Sequence, residues 1–342
     1  MEERGRYTRE EILSQPAAWS AALEVMEAQR KDLQSVALGG YAQVVFTGCG
    51  STYYVALAAA ALLQELSGVA ARGLPAAELW LFPRSSFISG KTLLVAISRS
   101  GETTETLEAC SAFRNAALGD LLTLSCYADR PLARLGRWNL VLPSGQERSV
   151  AQTRAFTTLY LATVALTALW TGKDELTEGL KRLGDCGHSL LSRYGALASS
   201  LGGDETLDRF YWLGSGPRYG LACEVSLKMK EMSLSHSEPF HFMEFRHGPK
   251  SMITPSALVV GFRSSIQGVR EEAVLKEAAA LGGRIVTIAE EGADVTLLSG
   301  MDEAIRNVLY LPVGQLLAFE RSLNRGLDPD KPHHLDAVVK LI

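Results

Sequence analysis

Cysteine is sparse and scattered in these 342 residues, at Cys49, Cys110, Cys126, Cys186 and Cys223, with no C-x-x-C pair. That spacing argues against a zinc ribbon or a disulfide framework and fits a reducing compartment. Charge of one sign is also lacking. Thirty-four Lys+Arg against 38 Asp+Glu leave a formal net charge of −4, so no broad electrostatic footprint for nucleic acid is expected. Long apolar runs are missing too. The stretch 55–63 is cut by Gln64 and Glu65, well short of the roughly 20 residues that span a bilayer. The opening MEERGRYTREEILSQPAAW has no basic-then-apolar signal shape. The expectation is a cytoplasmic protein with neither a membrane nor a nucleic acid as partner. His188, His236, His241, His333 and His334 form no H-x-x-x-H or H-E-x-x-H pattern, so no metal is expected.

What is present is apolar material, 47% hydrophobic against 21% charged, enough for packed cores and too much for a disordered chain. The length suggests about two domains at roughly 100–200 residues each. The chain opens with helical periodicity. Thr8 and Glu11 stand at capping-box spacing, Ile12, Trp19, Ala22, Leu23 and Met26 recur near a helical period, and Pro16 divides a short helix from a longer one. A strand over 43–46 then runs into Gly48-Cys49-Gly50-Ser51 and an alanine-rich helix. A second strand over 92–97 runs into Ser98-Arg99-Ser100-Gly101-Glu102-Thr103 and another helix, and a third strand follows at 121–124. Strands alternating with helices at this spacing predict βαβ units and a parallel sheet.

The second half repeats the plan. The loop Gly48-Cys49-Gly50 corresponds to Gly214-Ser215-Gly216, from 48 to 214, an offset of 166 residues. The same offset carries Glu78 to Glu244 and Ser98 to Ser264. The expected fold is therefore α/β, with two duplicated, doubly wound, flavodoxin-like domains. Their expected spans are 35–172 and 205–320, with an N-terminal helical segment 1–34, a helical connection 173–204 and a C-terminal tail 321–342.

Open parallel sheets bind ligands beyond the carboxyl ends of their strands, where helix N-termini present free N–H groups. Ser98, Arg99, Ser100 and Thr103 supply hydroxyls and a cation at a helix start, beside Gly101, which allows close backbone approach. A phosphate monoester requires that set. Gly50, Ser51 and Thr52 form a similar cradle. Either loop alone also fits ordinary N-capping by Ser and Thr; two in one domain favour a ligand. GCGSTY lacks the third glycine of G-x-G-x-x-G, which weakens a dinucleotide reading and leaves no cofactor to expect. In the second half Glu224, Lys228 and Glu231 fall on one helix face at spacings of four and three. Spacing alone also fits an exposed ion pair with one further carboxylate. The segment 238–249 is too aromatic and too punctuated for a solvated loop, and suits packing against another surface. Its His247, sixteen residues after Glu231 and before Gly-Pro, suggests an acid/base partner near neutral pH.

Together ISRSGETTET, GCGSTYY, ERSVAQTRAFTT, LKMKEMS and FRHGP resemble the sugar isomerase (SIS) domain proteins over nearly the whole chain. They are similar above all to the isomerase domain of glutamine–fructose-6-phosphate aminotransferase and to its stand-alone relatives. Those relatives include glucosamine-6-phosphate deaminases, tagatose-6-phosphate ketose/aldose isomerases and fructosamine deglycases. The resemblance implies that Gly50, Ser51, Thr52, Ser98, Ser100 and Thr103 hold a sugar phosphate and its hydroxyls. It implies that Glu231 shuttles a proton between C1 and C2, and that His247 of a neighbouring subunit in a homodimer helps open the ring. It further implies that Glu224 and Lys228 support this site and that Ser149 to Thr153 form a substrate-lining loop. No glutamine-hydrolysing domain is expected. Two departures stand out. Arg99 replaces the family's neutral Gln, and Ala337 aligns with the family's C-terminal lysine. Lys340 lies three residues further on, about 10 Å away along an extended chain. The implied activity is isomerisation of a hexose or hexosamine 6-phosphate, with deamination where C2 carries an amine; a phosphosugar sensor is the competing class.

Overall fold

The computed structural model describes residues 3–339. Two compact units emerge. One comprises Ala17–Glu147, Arg154–Lys181 and 336–339; the other comprises 3–16, Arg148–Thr153 and Arg182–Leu335.

The first unit is built on β1 (Gln43–Gly48), β2 (Ala71–Pro75), β3 (Thr92–Ser98), β4 (Gly119–Ser125) and β5 (Trp138–Val141), all parallel in the order β2-β1-β3-β4-β5. Every residue of β1 and β3 is buried, as expected of central strands covered on both faces, whereas the edge strand β5 alternates. Val45, Leu94, Ala96, Phe113 and Leu121 form the core of one face. The alanine-rich helix Ser51–Ser67 follows β1 and packs closely on β2. A Cβ on Gly73 would come within 2.7 Å of the backbone at Ala56, so glycine there sets the approach.

The second unit repeats the arrangement with β6 (Arg209–Leu213), β7 (His236–Phe240), β8 (Ala257–Phe262), β9 (Arg284–Ala289) and β10 (Val295–Thr296). All are parallel, in the order β7-β6-β8-β9-β10. The offset of 166 carries the start of β1 to the start of β6 and the helix Ser51–Ser67 onto the helix Pro217–Ser233. It also relates Glu78 and Glu244, each on a short helix (Ala76–Leu81 and Phe242–Phe245) that follows the second strand of its unit. The aromatics of 238–249, expected to pack on another surface, are instead spent on this unit's own core. Phe242 and Phe245 are buried, and Phe245 packs against Tyr211 and Phe240. Apolar side chains find a dry partner within reach before they wait for a remote one.

The N-terminal capping box does not form. The helix Arg6–Leu13 begins at Gly5, so Thr8 lies inside it rather than at its cap. Asp330 caps it from the far end of the chain, accepting the N–H groups of Tyr7 (3.1 Å) and Thr8 (2.7 Å) and the Thr8 hydroxyl (2.7 Å). Asp328 accepts the Gly5 N–H at 3.0 Å. Two carboxylates at a helix N-terminus meet orphan donors and the positive end of the dipole together. Glu11, freed from capping, turns inward.

Candidate functional site: a hydroxyl cradle and a buried lysine bracket

The strand order 2-1-3-4-5 reverses direction between β1 and β3, the switch point at which doubly wound sheets bind ligands. In the first unit both polar loops of the sequence lie there. Beyond β3, the hydroxyls of Ser98, Ser100 and Thr103 converge, with Ser98 Oγ 3.2 Å from Thr103 Oγ1 and each within 3.5 Å of Ser100 Oγ. The N–H of Gly101 donates to Ser98 Oγ (3.1 Å) and that of Glu102 to Ser100 Oγ (3.2 Å). Gly101 has φ +68, and the helix Thr104–Asn115 follows. Among the described residues no carboxylate meets these three hydroxyls. A cluster of hydroxyl donors at a helix start suits an oxyanion.

Beyond β1, Gly48 permits the close turn, since a Cβ there would come within 2.5 Å of Thr52 Oγ1. Gly50 takes φ 54 and ψ −123 as N-cap of the next helix, with open space where a side chain would stand. Thr52 spends its hydroxyl on the turn, accepting the Cys49 N–H and donating to the Cys49 carbonyl, both at 2.9 Å. The two loops meet where Cys49 Sγ lies 3.6 Å from Thr106 Oγ1, and burial pushes the Cys49 thiol up.

Arg99 reaches Glu147 and the C-terminal segment. Its buried guanidinium lies 3.4 Å from the buried Glu147 and donates to the Ala337 carbonyl at 2.9 Å. Glu147 also accepts the Ala155 N–H (3.0 Å) in the first turn of the helix Arg154–Trp170. The C-terminal segment thus runs past the cradle, and the Thr104 N–H points to the Val339 carbonyl at 3.5 Å. Ala337 offers its backbone carbonyl here. Lys340 lies outside the described residues.

In the second unit the helix Pro217–Ser233 carries Glu224, Lys228 and Glu231. This is no exposed ion pair. Lys228 and Glu224 are wholly buried side chains, 3.3 Å apart, and Lys228 Nζ also donates to Glu231, which keeps 19% of its side-chain surface. Burial alone would push the lysine down, but the charges of Glu224 and Glu231 outweigh it and hold its pKa above the ordinary value. The ammonium therefore stays charged at neutral pH, bonded to a carboxylate that keeps part of its surface exposed. His247 is exposed, held by its N–H to the Glu244 carbonyl at 3.0 Å, and its imidazole bonds to nothing among the described residues. Ser149 is buried and spends its hydroxyl on Glu11 and on the Ala151 carbonyl (2.9 Å). Glu11 accepts the Arg148 N–H at 2.5 Å as well, fixing that loop. Nothing in the local sequence marks Glu11 or Glu147 for these tasks, because their partners come from distant segments.

Residues 41–169 match the SIS domain family. The chain carries a SIS domain. Among curated proteins it is similar to glutamine–fructose-6-phosphate aminotransferase [isomerizing] of Symbiobacterium thermophilum, 28% identical over 97% of this chain and 59% of that protein. The Pseudomonas aeruginosa protein of the same name is 31% identical over 85% of this chain and 50% of its own length. The chain thus spans little more than half the length of these relatives. Among solved structures it matches glucosamine-6-phosphate deaminase of Thermotoga maritima at 25% identity and TM-score 0.85, over 98% of this chain and all of that one. Tagatose-6-phosphate ketose/aldose isomerase of Escherichia coli shares the fold, with TM-score 0.86 at 24% identity over 95% of each chain. Among the described residues no group of three or more His, Cys, Asp or Glu could hold a metal ion, and no helix is long and apolar enough to cross a membrane.

Proposed function

We propose that the chain is a phosphosugar isomerase of the SIS family, acting on a hexose or hexosamine 6-phosphate without a cofactor. Two features, one within each unit, support this reading. One is a hydroxyl cradle at the first sheet's switch point; the other is a part-exposed carboxylate bonded to a buried lysine. Ser98, Ser100 and Thr103 anchor the phosphate, with Gly50, Ser51 and Thr52 beside them. Arg99 supports the cradle from behind through Glu147 rather than touching the phosphate. His247 assists ring opening. Glu231 takes the proton from C2 of the open-chain aldose and returns it to C1, through an enediol or, where C2 bears an amine, an enolamine. In the second case the resulting ketimine adds water and loses ammonia, leaving a ketose phosphate. Lys228 and Glu224 position Glu231 without meeting substrate.

We further infer that the chain deaminates glucosamine 6-phosphate. The full-length likeness to a solved glucosamine-6-phosphate deaminase at 25% identity supports this. The alternatives are a tagatose-6-phosphate-type ketose/aldose isomerase and a fructosamine-6-phosphate deglycase. The common strand order and the offset of 166 support a duplication behind the two units, and the exposed His247 supports a homodimer in which each chain completes the other's site. The deciding experiment measures ammonia and ketose across a panel of hexosamine and hexose 6-phosphates. Ammonia from glucosamine 6-phosphate is expected. Ketose without ammonia makes the chain an isomerase, and binding without turnover makes it a sensor.

A further inference from the structure

The second unit has the same switch point as the first, between β6 and β8, and its loops fall at corresponding positions at the offset of 166, matching Ser98 with Ser264 and the two glycines of GCG with those of GSG. Ser264 stands for Ser98, two residues beyond the end of β8. Its hydroxyl accepts the N–H of Gln267 at 3.1 Å, as Ser98 accepts that of Gly101. Arg218, in the first turn of its helix, stands for Thr52. The second loop differs from the first in holding an anion already, and that anion belongs to the chain.

The carboxylate of Glu303 sits on these donors. It accepts the Ser264 hydroxyl at 2.9 and 3.1 Å, the Ser265 N–H at 2.6 Å, Arg306 Nη2 at 3.3 Å and a close contact from Arg218 Nη1. Both guanidiniums are buried and otherwise tethered. Arg218 donates to the Phe262 carbonyl (3.2 Å) and lies 3.6 Å from Glu271. Arg306 donates to the Met301 carbonyl (2.7 Å) and to Ser265, and lies 3.5 Å from Glu290. Burial works against the charge of Glu303, but Arg218 and the Ser265 and Ser264 donors outweigh it and hold its pKa below the ordinary carboxylate value. A hydroxyl, a backbone amide in the loop between β8 and the helix Gly268–Ala280 and two forked cations form the donor set that recognises a tetrahedral oxyanion.

We propose that the second unit contains an oxyanion site closed by the chain's own Glu303, and that deleting this carboxylate opens it to inorganic phosphate or sulfate. The closed site explains how two matching units yield one phosphate cradle, since the second cradle is satisfied from within. The inference rests on the fold and not on the proposed reaction.

The test compares wild type, Glu303→Ala and Glu303→Gln by thermal unfolding in phosphate, in sulfate and in chloride at matched ionic strength. The first unit's cradle is the same in all three proteins, so whatever it binds cancels in the comparison. Glu303→Ala should be destabilised in chloride, and phosphate or sulfate should restore its midpoint by on the order of 5 °C more than they raise the wild type's. Glu303→Gln still fills the space and should gain little. Should Glu303→Ala not fold in chloride, refolding yield becomes the readout, and phosphate should rescue it. An anion gain no larger than wild type's, or failure to fold in either anion, would overturn the proposal.

Discussion

Replacing Lys228 with Met tests the electrostatics of the bracket most severely. The ammonium is fully buried, lies 3.3 Å from a carboxylate that is equally buried and bonds to a second that is four-fifths covered. Removing one partner of such a group leaves an uncompensated buried charge, a loss of about 3–5 kcal/mol. The pH dependence follows from the same geometry. In wild type the lysine pKa is raised, so its contribution is fully present below the ordinary lysine range and is lost only as pH climbs through the raised value. Wild type should therefore show no lysine-linked change across neutral pH. In Lys228→Met, Glu224 loses the ammonium 3.3 Å away, and burial favours its neutral form. Its folded pKa then exceeds its unfolded one, so the variant's stability falls as pH rises. Urea unfolding at pH 5.5 and pH 8 should show the larger deficit at pH 8. A deficit below about 1 kcal/mol, or one equal at both pH values, would refute the argument.

Ser100→Ala removes a hydroxyl from the cradle and should weaken a 6-phosphate sugar by about one to two decades, the roughly 1.5–3 kcal/mol of a charge-assisted hydrogen bond. Phosphate-free sugars should be nearly unaffected, and equal losses for both would remove the phosphate from this loop. If His247 serves a partner's Glu231, co-refolding Glu231→Gln with His247→Ala chains should return about a quarter of wild-type turnover. Half the dimers are then mixed, each with one intact site of two. No recovery with mixed dimers present would confine the site to a single chain.

Much of the fold is legible in the sequence because the signals are local. A buried parallel strand reads as an apolar run, and a loop that must admit φ 54 or a 2.5 Å approach reads as glycine, so GCG and GSG match one another by their letters alone. Burial of charge is not legible. The i, i+3 and i, i+4 spacings around Lys228 are those of a solvated helix face, and only tertiary packing makes them a dry bracket. Nor is the capping of the first helix, since Thr8-x-x-Glu11 has the right letters while Asp330, more than 300 residues away, has the better geometry. The direction of Arg99 depends likewise on Glu147 and on the backbone of Ala337. Glu303 has no local signal, but the offset that maps Thr52 onto Arg218 and Ser98 onto Ser264 marks the cradle it fills.

The central claim is that Glu231 moves the proton between C1 and C2 of a sugar phosphate. It is met most directly by running the reaction in deuterated water with wild type and Glu231→Gln, and reading the label at C1 of the ketose product. Wild type should place deuterium at C1, diluted by internal transfer. The Gln variant keeps the shape but cannot take a proton, so its turnover should fall by roughly 10²–10⁴ with the label lost in proportion. Near-normal turnover and labelling in Glu231→Gln would contradict the account and leave the bracket of Glu224, Lys228 and Glu231 a structural feature of its helix.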